Sequence, residues 1–164
     1  MEPKRPSFFL NALLALARTS TVIISVVMIH VAHAPFVFRY VIAAPLPWSE
    51  EMARYCFVWI VFLGGAVGLS RGVHLGVDLF VNMLPAPLQR VIGILTSGLI
   101  AAFAATVINA SLPVLNMNMF QRSPALGVQM TRIYIAIPVS MALIFLICVE
   151  RILKDLFQGA AWKG

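Results

Sequence analysis

The sequence predicts an all-α integral membrane protein: four transmembrane helices, N- and C-termini cytoplasmic, and a short interfacial helix between helices 2 and 3. Three observations lead there. The 164 residues are 61% hydrophobic and only 11% charged, whereas a soluble domain carries about 45–50% apolar and roughly 25% charged residues. Four apolar runs are each long enough to cross the ~30 Å hydrocarbon core of a bilayer. Charged residues bracket those runs and are almost absent from their middles.

The whole chain, 1–164, is expected to form a single membrane domain, with helices near 14–40, 51–70, 91–115 and 132–153. The first span lies between Arg18 and Arg39, about 31 Å apart at about 1.5 Å per residue. Residues 7–17 either extend this helix or lie along the interface, and Pro35 should bend its outer end. Lys4 and Arg5 ahead of an apolar stretch, with Ala32-His33-Ala34 after it, resemble a signal peptide. The stretch is longer than the ~7–15 residues of a signal core, so it is read as a retained helix.

The second span follows Leu46-Pro47-Trp48. Ser49 is the expected N-cap, with Glu50 and Glu51 in the first turn, where the helix dipole favours anions. The span ends near Arg71. The third begins after Leu84-Pro85-Ala86-Pro87, at Arg90, and the fourth runs from Arg132 to Glu150-Arg151. Between spans two and three, Val73, Val77, Phe80 and Leu84 recur at helical spacing, which predicts the interfacial helix. Residues 116–131 contain Pro124 and Gly127 and read as an outward-facing turn.

Lys4, Arg5, Arg18, Arg71, Arg90, Arg151, Lys154 and Lys163 fall on one side of the membrane, and Arg39, Arg54, Arg122 and Arg132 on the other. Eight against four places both termini in the cytoplasm by the positive-inside rule. The net charge of +6 is spread singly along the ends of apolar runs, which suits membrane lipids and argues against nucleic acid. Cys56 and Cys148 lie inside apolar runs without a CxxC pair, which argues against thiol-redox chemistry.

A charge at mid-bilayer costs about 2.5–3.5 kcal/mol on insertion scales, and ion pathways accept that cost. This chain largely avoids it, which counts against an independent pump or carrier, and there is no internal repeat of the kind many carriers show. No catalytic centre is evident. His30 and His33 lie three residues apart on one helix, whereas a membrane haem needs histidines facing one another from two helices, so contacts to a neighbouring helix are the better reading. No cofactor or metal is expected: His74 and Asp78, one turn apart, are too few for a metal site and read as a hydrogen-bonded pair.

Several residues are candidates for partner docking or scaffolding. Glu50, Glu51 and Arg54 form an i,i+3 and i,i+4 cluster at the outer start of span two. They are read either as a docking patch or as capping and headgroup contacts. Gly64, Gly68, Gly72 and Gly76 recur every four residues and admit close helix approach, either within the chain or against another subunit. Trp48 and Trp59 are interfacial anchors or packing groups.

At this point a resemblance enters. Residues 38–80, FRYVIAAPLPWSEEMARYCFVWIVFLGGAVGLSRGVHLGVDLF, resemble the small, DctQ-type membrane subunit of TRAP (tripartite ATP-independent periplasmic) transporters. The likeness rests on Arg39-Tyr40, Pro47-Trp48, Glu50-Glu51, Arg54-Tyr55, Trp59, Phe62-Leu63-Gly64, Arg71, His74, Val77 and Asp78 in order. Residues 123–130 (SPALGVQM) and Tyr134 with Ile137-Pro138 add to it. The resemblance implies a non-catalytic subunit of the bacterial inner membrane, in complex with a large permease subunit and a periplasmic substrate-binding protein. Together they would perform sodium-coupled uptake of an organic acid such as a C4-dicarboxylate or sialic acid. It implies that Arg39, Glu50, Glu51, Arg54 and Arg122 face a docking surface. Gly64, Gly68 and Trp59 would pack within or between subunits, and His74 and Asp78 would fix the cytoplasmic connection. The alternatives are a membrane-anchor subunit of a respiratory enzyme, which a haem spectrum would reveal, and a homo-oligomeric exporter, which would need a buried acid that the spans lack.

Overall fold

A computed structural model describes residues 7–71 and 85–158 of the chain. Helix α1 spans Phe8–Val37 and continues as a π-helical turn, Phe38–Ile42. Helix α2 spans Pro47–Ser70, and α3 spans Ala86–Met117. A short α4, Thr131–Tyr134, leads through Ile135 into α5, Ala136–Gln158. Among the described residues four stretches are long and apolar enough to cross a membrane: Phe8–Ile42, Pro47–Ser70, Leu88–Met117 and Thr131–Leu156. Among the described residues there is no strand, only an isolated bridge between Arg122 and Gln129. The expected interfacial helix, with Gly72, His74, Gly76 and Asp78, lies outside the described residues at 72–84.

Local chemistry accounts for the helix ends. Ser7 caps α1, its hydroxyl accepting the Leu10 N–H at 3.4 Å. Residues 8–17 extend the first helix, and Leu10, Leu14 and Ala17 on this stretch are buried. Pro35 has no N–H to give to the Val31 carbonyl, and the ladder widens into π-type turns just beyond it. The π turn stops at Ala43, a non-glycine residue in the left-handed region at φ 55°. The Ala43 and Ala44 N–H groups both reach back to the Phe38 carbonyl.

The start of α2 differs from expectation. Pro47 occupies the first turn and Leu46 the N-cap position, since proline's fixed φ suits N1 and its missing N–H is not needed there. Ser49, expected as the cap, lies inside the helix, fully buried, with its hydroxyl donated to the Leu46 carbonyl at 2.7 Å. Helix α3 likewise starts at Ala86, four residues before Arg90, behind Pro85. The break between α4 and α5 falls three residues before Pro138, which cannot donate to the Tyr134 carbonyl.

Helix α1 packs along α2, α2 along α5, and α5 along α3, while α1 and α5 touch only slightly. Among the described residues neither α1 nor α2 makes extended contact with α3. The four long helices therefore stand in a row, α1–α2–α5–α3, rather than closing into a bundle. One buried cluster joins the first three: Leu10, Leu14 and Ala17 of α1, Leu63 and Ala66 of α2, and Leu143 and Ile147 of α5. The α5–α3 seam is built from small groups instead. On α3 the buried residues are Ser97, Ala101, Ala104 and Ser111, all of them small. Small side chains let backbones approach closely, which is how helices gain contact in lipid.

Candidate functional site

The row of helices has two polar ends. At the end where α2 begins, the connection from α3 to α4 folds into a tight turn. The Ser123 N–H donates to the Val128 carbonyl at 2.9 Å, and the buried Ser123 hydroxyl accepts the Val128 N–H at 3.2 Å. Gly127 takes φ +65° to close it, a conformation that costs other residues a steric clash. The expected turn is therefore present and internally bonded.

This turn is fastened to α2. One oxygen of the Glu51 carboxylate accepts both the Leu126 N–H at 2.8 Å and the Ala125 N–H at 3.1 Å. The hydroxyls of Tyr55 and Ser123 flank that carboxylate. Arg122 donates to the Gly127 carbonyl at 3.3 Å, across the same turn. Glu51 and Arg122 thus engage their own chain, and so does Trp59, which packs against the main buried cluster. Glu50, Arg54 and Arg39 are exposed. Among the described residues no ion pair joins Arg54 to Glu50 or Glu51, and Trp48 stands 41% exposed beside them. The structure gathers Trp48, Glu50, Glu51, Arg54 and Arg122 at one end of the row, with Arg39 on the π turn that leads into it.

The glycines of α2 differ from one another. A side chain at Gly64 would meet Thr21 of α1 at 3.9 Å, whereas one at Gly68 would meet nothing within 4 Å. Gly64 belongs to the α1–α2 contact and Gly68 opens outward.

At the opposite end the last turns of α5 tie three other helix ends together. Glu150 accepts the Ser7 N–H at 2.6 Å and the Ser7 hydroxyl at 3.4 Å, and it pairs with Lys154. Arg151 donates to the Leu69 carbonyl at 2.6 Å, filling one of the orphan acceptors at the end of α2. Arg90 of α3 donates to the carbonyls of Asp155 and Leu156. Arg71 lies exposed just past α2. These fasteners are absent from the candidate set read in the sequence, where Glu150, Arg151 and Arg90 served only to mark span boundaries. Their i,i+4 spacing in Glu150-Arg151…Lys154 is the one local signal of such a role.

A groove of about 480 Å³ runs between α1 and α4, floored by α2. Ser20 and Ile24, Tyr55 and Trp59, and Arg132 and Ile133 line it from the three sides. Among the described residues no group of three or more His, Cys, Asp or Glu side chains gathers to hold a metal. His30 and His33 lie on one helix, each ring Nδ1 bonded to its own backbone, at Val26 O and Ile29 O.

With this arrangement in view, residues 23–158 match the family model described as tripartite ATP-independent periplasmic transporters, DctQ component. The chain is 34% identical over 116 residues to the isethionate TRAP transporter permease protein DctMQ of Oleidesulfovibrio alaskensis, which covers 70% of this chain and 18% of that one. It is 32% identical over 100 residues to the C4-dicarboxylate TRAP transporter small permease protein DctQ of Rhodobacter capsulatus, covering 60% and 44% respectively. With the protein of that same name from Pseudomonas aeruginosa it shares 29% over 132 residues, covering 72% and 60%. The chain thus spans less than two thirds of the length of these relatives.

Proposed function

The chain belongs to the DctQ component family of the tripartite ATP-independent periplasmic transporters, and from that membership we propose that it is the small scaffold subunit of such a transporter in the bacterial inner membrane. The observation that carries the proposal is the family match, which runs from within the first membrane-spanning stretch to the end of the last. In this role the chain performs no chemistry. It braces a large permease subunit, which moves the solute with sodium, and a periplasmic binding protein delivers that solute. Relatives named for isethionate and for C4-dicarboxylates support a small organic anion as cargo.

The architecture suits the role physically. A permease that shifts one part against another needs a frame that does not follow the movement. A row of helices fastened at both ends by Glu51, Glu150, Arg151 and Arg90 resists sliding of one helix along the next. With the termini cytoplasmic, the exposed Arg39, Trp48, Glu50 and Arg54 face the periplasm and offer both charges to a loaded binding protein. Gly68 leaves room on α2 for a close neighbour.

The test is reconstitution. The chain alone in proteoliposomes should move no solute, and it should co-purify in mild detergent with the large permease chain encoded for the same system. Adding the permease and binding protein should restore sodium-driven uptake of an organic anion. Uptake by the isolated chain, or uptake by the permease and binding protein at full rate without it, refutes the assignment.

A further inference from the structure

The outward face of α1 carries two polar groups at a depth where lipid offers them nothing. His30 lies about 18 Å along the helix from Arg18 and about 14 Å from Arg39, near the middle of the hydrocarbon layer. His33 lies one turn further out. The sequence alone points these rings at a neighbouring helix, but among the described residues neither ring bonds to another helix. Both are exposed, and each ring makes one hydrogen bond, from Nδ1 to a carbonyl four residues back, at 2.8 and 2.7 Å. A carbonyl can only accept, so Nδ1 carries the hydrogen, and in the neutral ring Nε2 is left as an acceptor pointing away. Acyl chains have no donor for it, and an unpaired polar atom in hydrocarbon is costly.

The rings do not stand alone. Leu10, Leu14 and Ala17 turn toward α2. At about 3.6 residues per turn, Thr19, Val22, Val26, His30, His33 and Val37 form the stripe on the opposite side. Val22, Val26 and Val37 are 58%, 49% and 50% exposed. Spacings of three and four make this a continuous seam of the kind a second helix packs against. The chain's aligned part is only 18% of the DctMQ relative, a single permease protein. In that relative the homologous stretch is part of one, much longer permease polypeptide.

We propose that this stripe of α1 seats a membrane-spanning helix of the large permease chain, which donates hydrogen bonds to Nε2 of His30 and His33. The inference rests on the small-subunit role and adds to it the face and the polar groups of contact.

The test uses the complete complex in membranes. A photo-reactive phenylalanine analogue replaces Val26, or, on the far flank, Leu99 of α3, which is 74% exposed. Irradiation at position 26 should give an adduct whose peptides derive from the permease. The H30L/H33L pair should lower recovery of permease per small subunit by about threefold or more, with the small subunit's own abundance in membranes unchanged. Lipid-only adducts at position 26 with a permease adduct at position 99, an adduct between two copies of this chain at position 26, or undiminished recovery with H30L/H33L would each overturn the seat while leaving the small-subunit role intact. Failure of the unaltered chain to co-purify with the permease would remove both. Should the double variant fail to accumulate, the adduct at position 26 in the otherwise native chain decides the matter.

Discussion

Adding the same three carbon atoms at two residues that lie two positions apart on α3 should have opposite consequences. Ala104 is fully buried, and Ala102 is exposed. Since among the described residues α3 meets α5 and the short α4 in strength and no other helix, the closed side at Ala104 is read as the α5 seam. In A104L the added atoms have no space, so either the rotamer is strained or α3 moves away from α5. Overpacking of this kind costs typically about 1–3 kcal/mol. For a chain of this size that corresponds to a fall of about 4–8 °C in Tm for a mid-range cost of about 2 kcal/mol. In A102L the same atoms enter lipid or detergent, and leucine's helix propensity is close to alanine's, so Tm should hold within about 1 °C. Thermal unfolding of the two variants in one detergent, followed by helical signal and by proteolysis of the α3–α4 connection, makes the comparison. Equal melting temperatures would refute the seam, and with it the row of helices in which α3 depends on α5.

Other expectations follow from the fasteners and the turn. Glu51→Gln should speed hydrogen exchange at the Ala125 and Leu126 amides, which lean on its carboxylate, while the exchange of the Ser123–Val128 pair stays slow; unchanged exchange at 125 and 126 would deny the clamp. Arg151→Met should lower Tm by about 3–6 °C, matching the loss of one charge-assisted bond worth about 1.5 kcal/mol, and Arg151→Lys should recover part of it. Gly127→Ala should cost about 1 kcal/mol from its positive φ alone, since a Cβ there meets no atom within 4 Å; Gly127→Asn, which tolerates that conformation, should cost less, and Tm ranks the three.

The number and order of the membrane helices were legible because a run of apolar residues bracketed by charges has few other fates. Their lateral arrangement was not. In lipid both the packed and the exposed faces of a helix are apolar, so the 3.6-residue alternation that marks a buried face in water fades. Val22 and Leu63 look alike in sequence, yet Val22 is 58% exposed and Leu63 is 6%. On α3 alone the packed side is marked by size, as Ser97, Ala101 and Ala104 illustrate. Glu51 stood out as an acidic residue at a helix start. Its bonding partners are 74 and 75 residues away, and nothing local announces them. Ser49 carries the serine preference of N-caps, but Pro47 two residues earlier already marks N1, so the helix starts ahead of the serine.

The order of the row bears on how the chain is made. Synthesis delivers α1, α2 and α3 first and α5 after them, yet α5 lies between α2 and α3. Until it emerges, α3 lacks the one long helix that it packs along among the described residues, and the small buried side of α3 lacks its cover. Maturation is therefore not a matter of each new rod joining the one before it: the late arrival must slip between two that are already in place. Ribosomes stalled before α5 should leave a first hairpin that holds together and a third rod adrift beside it.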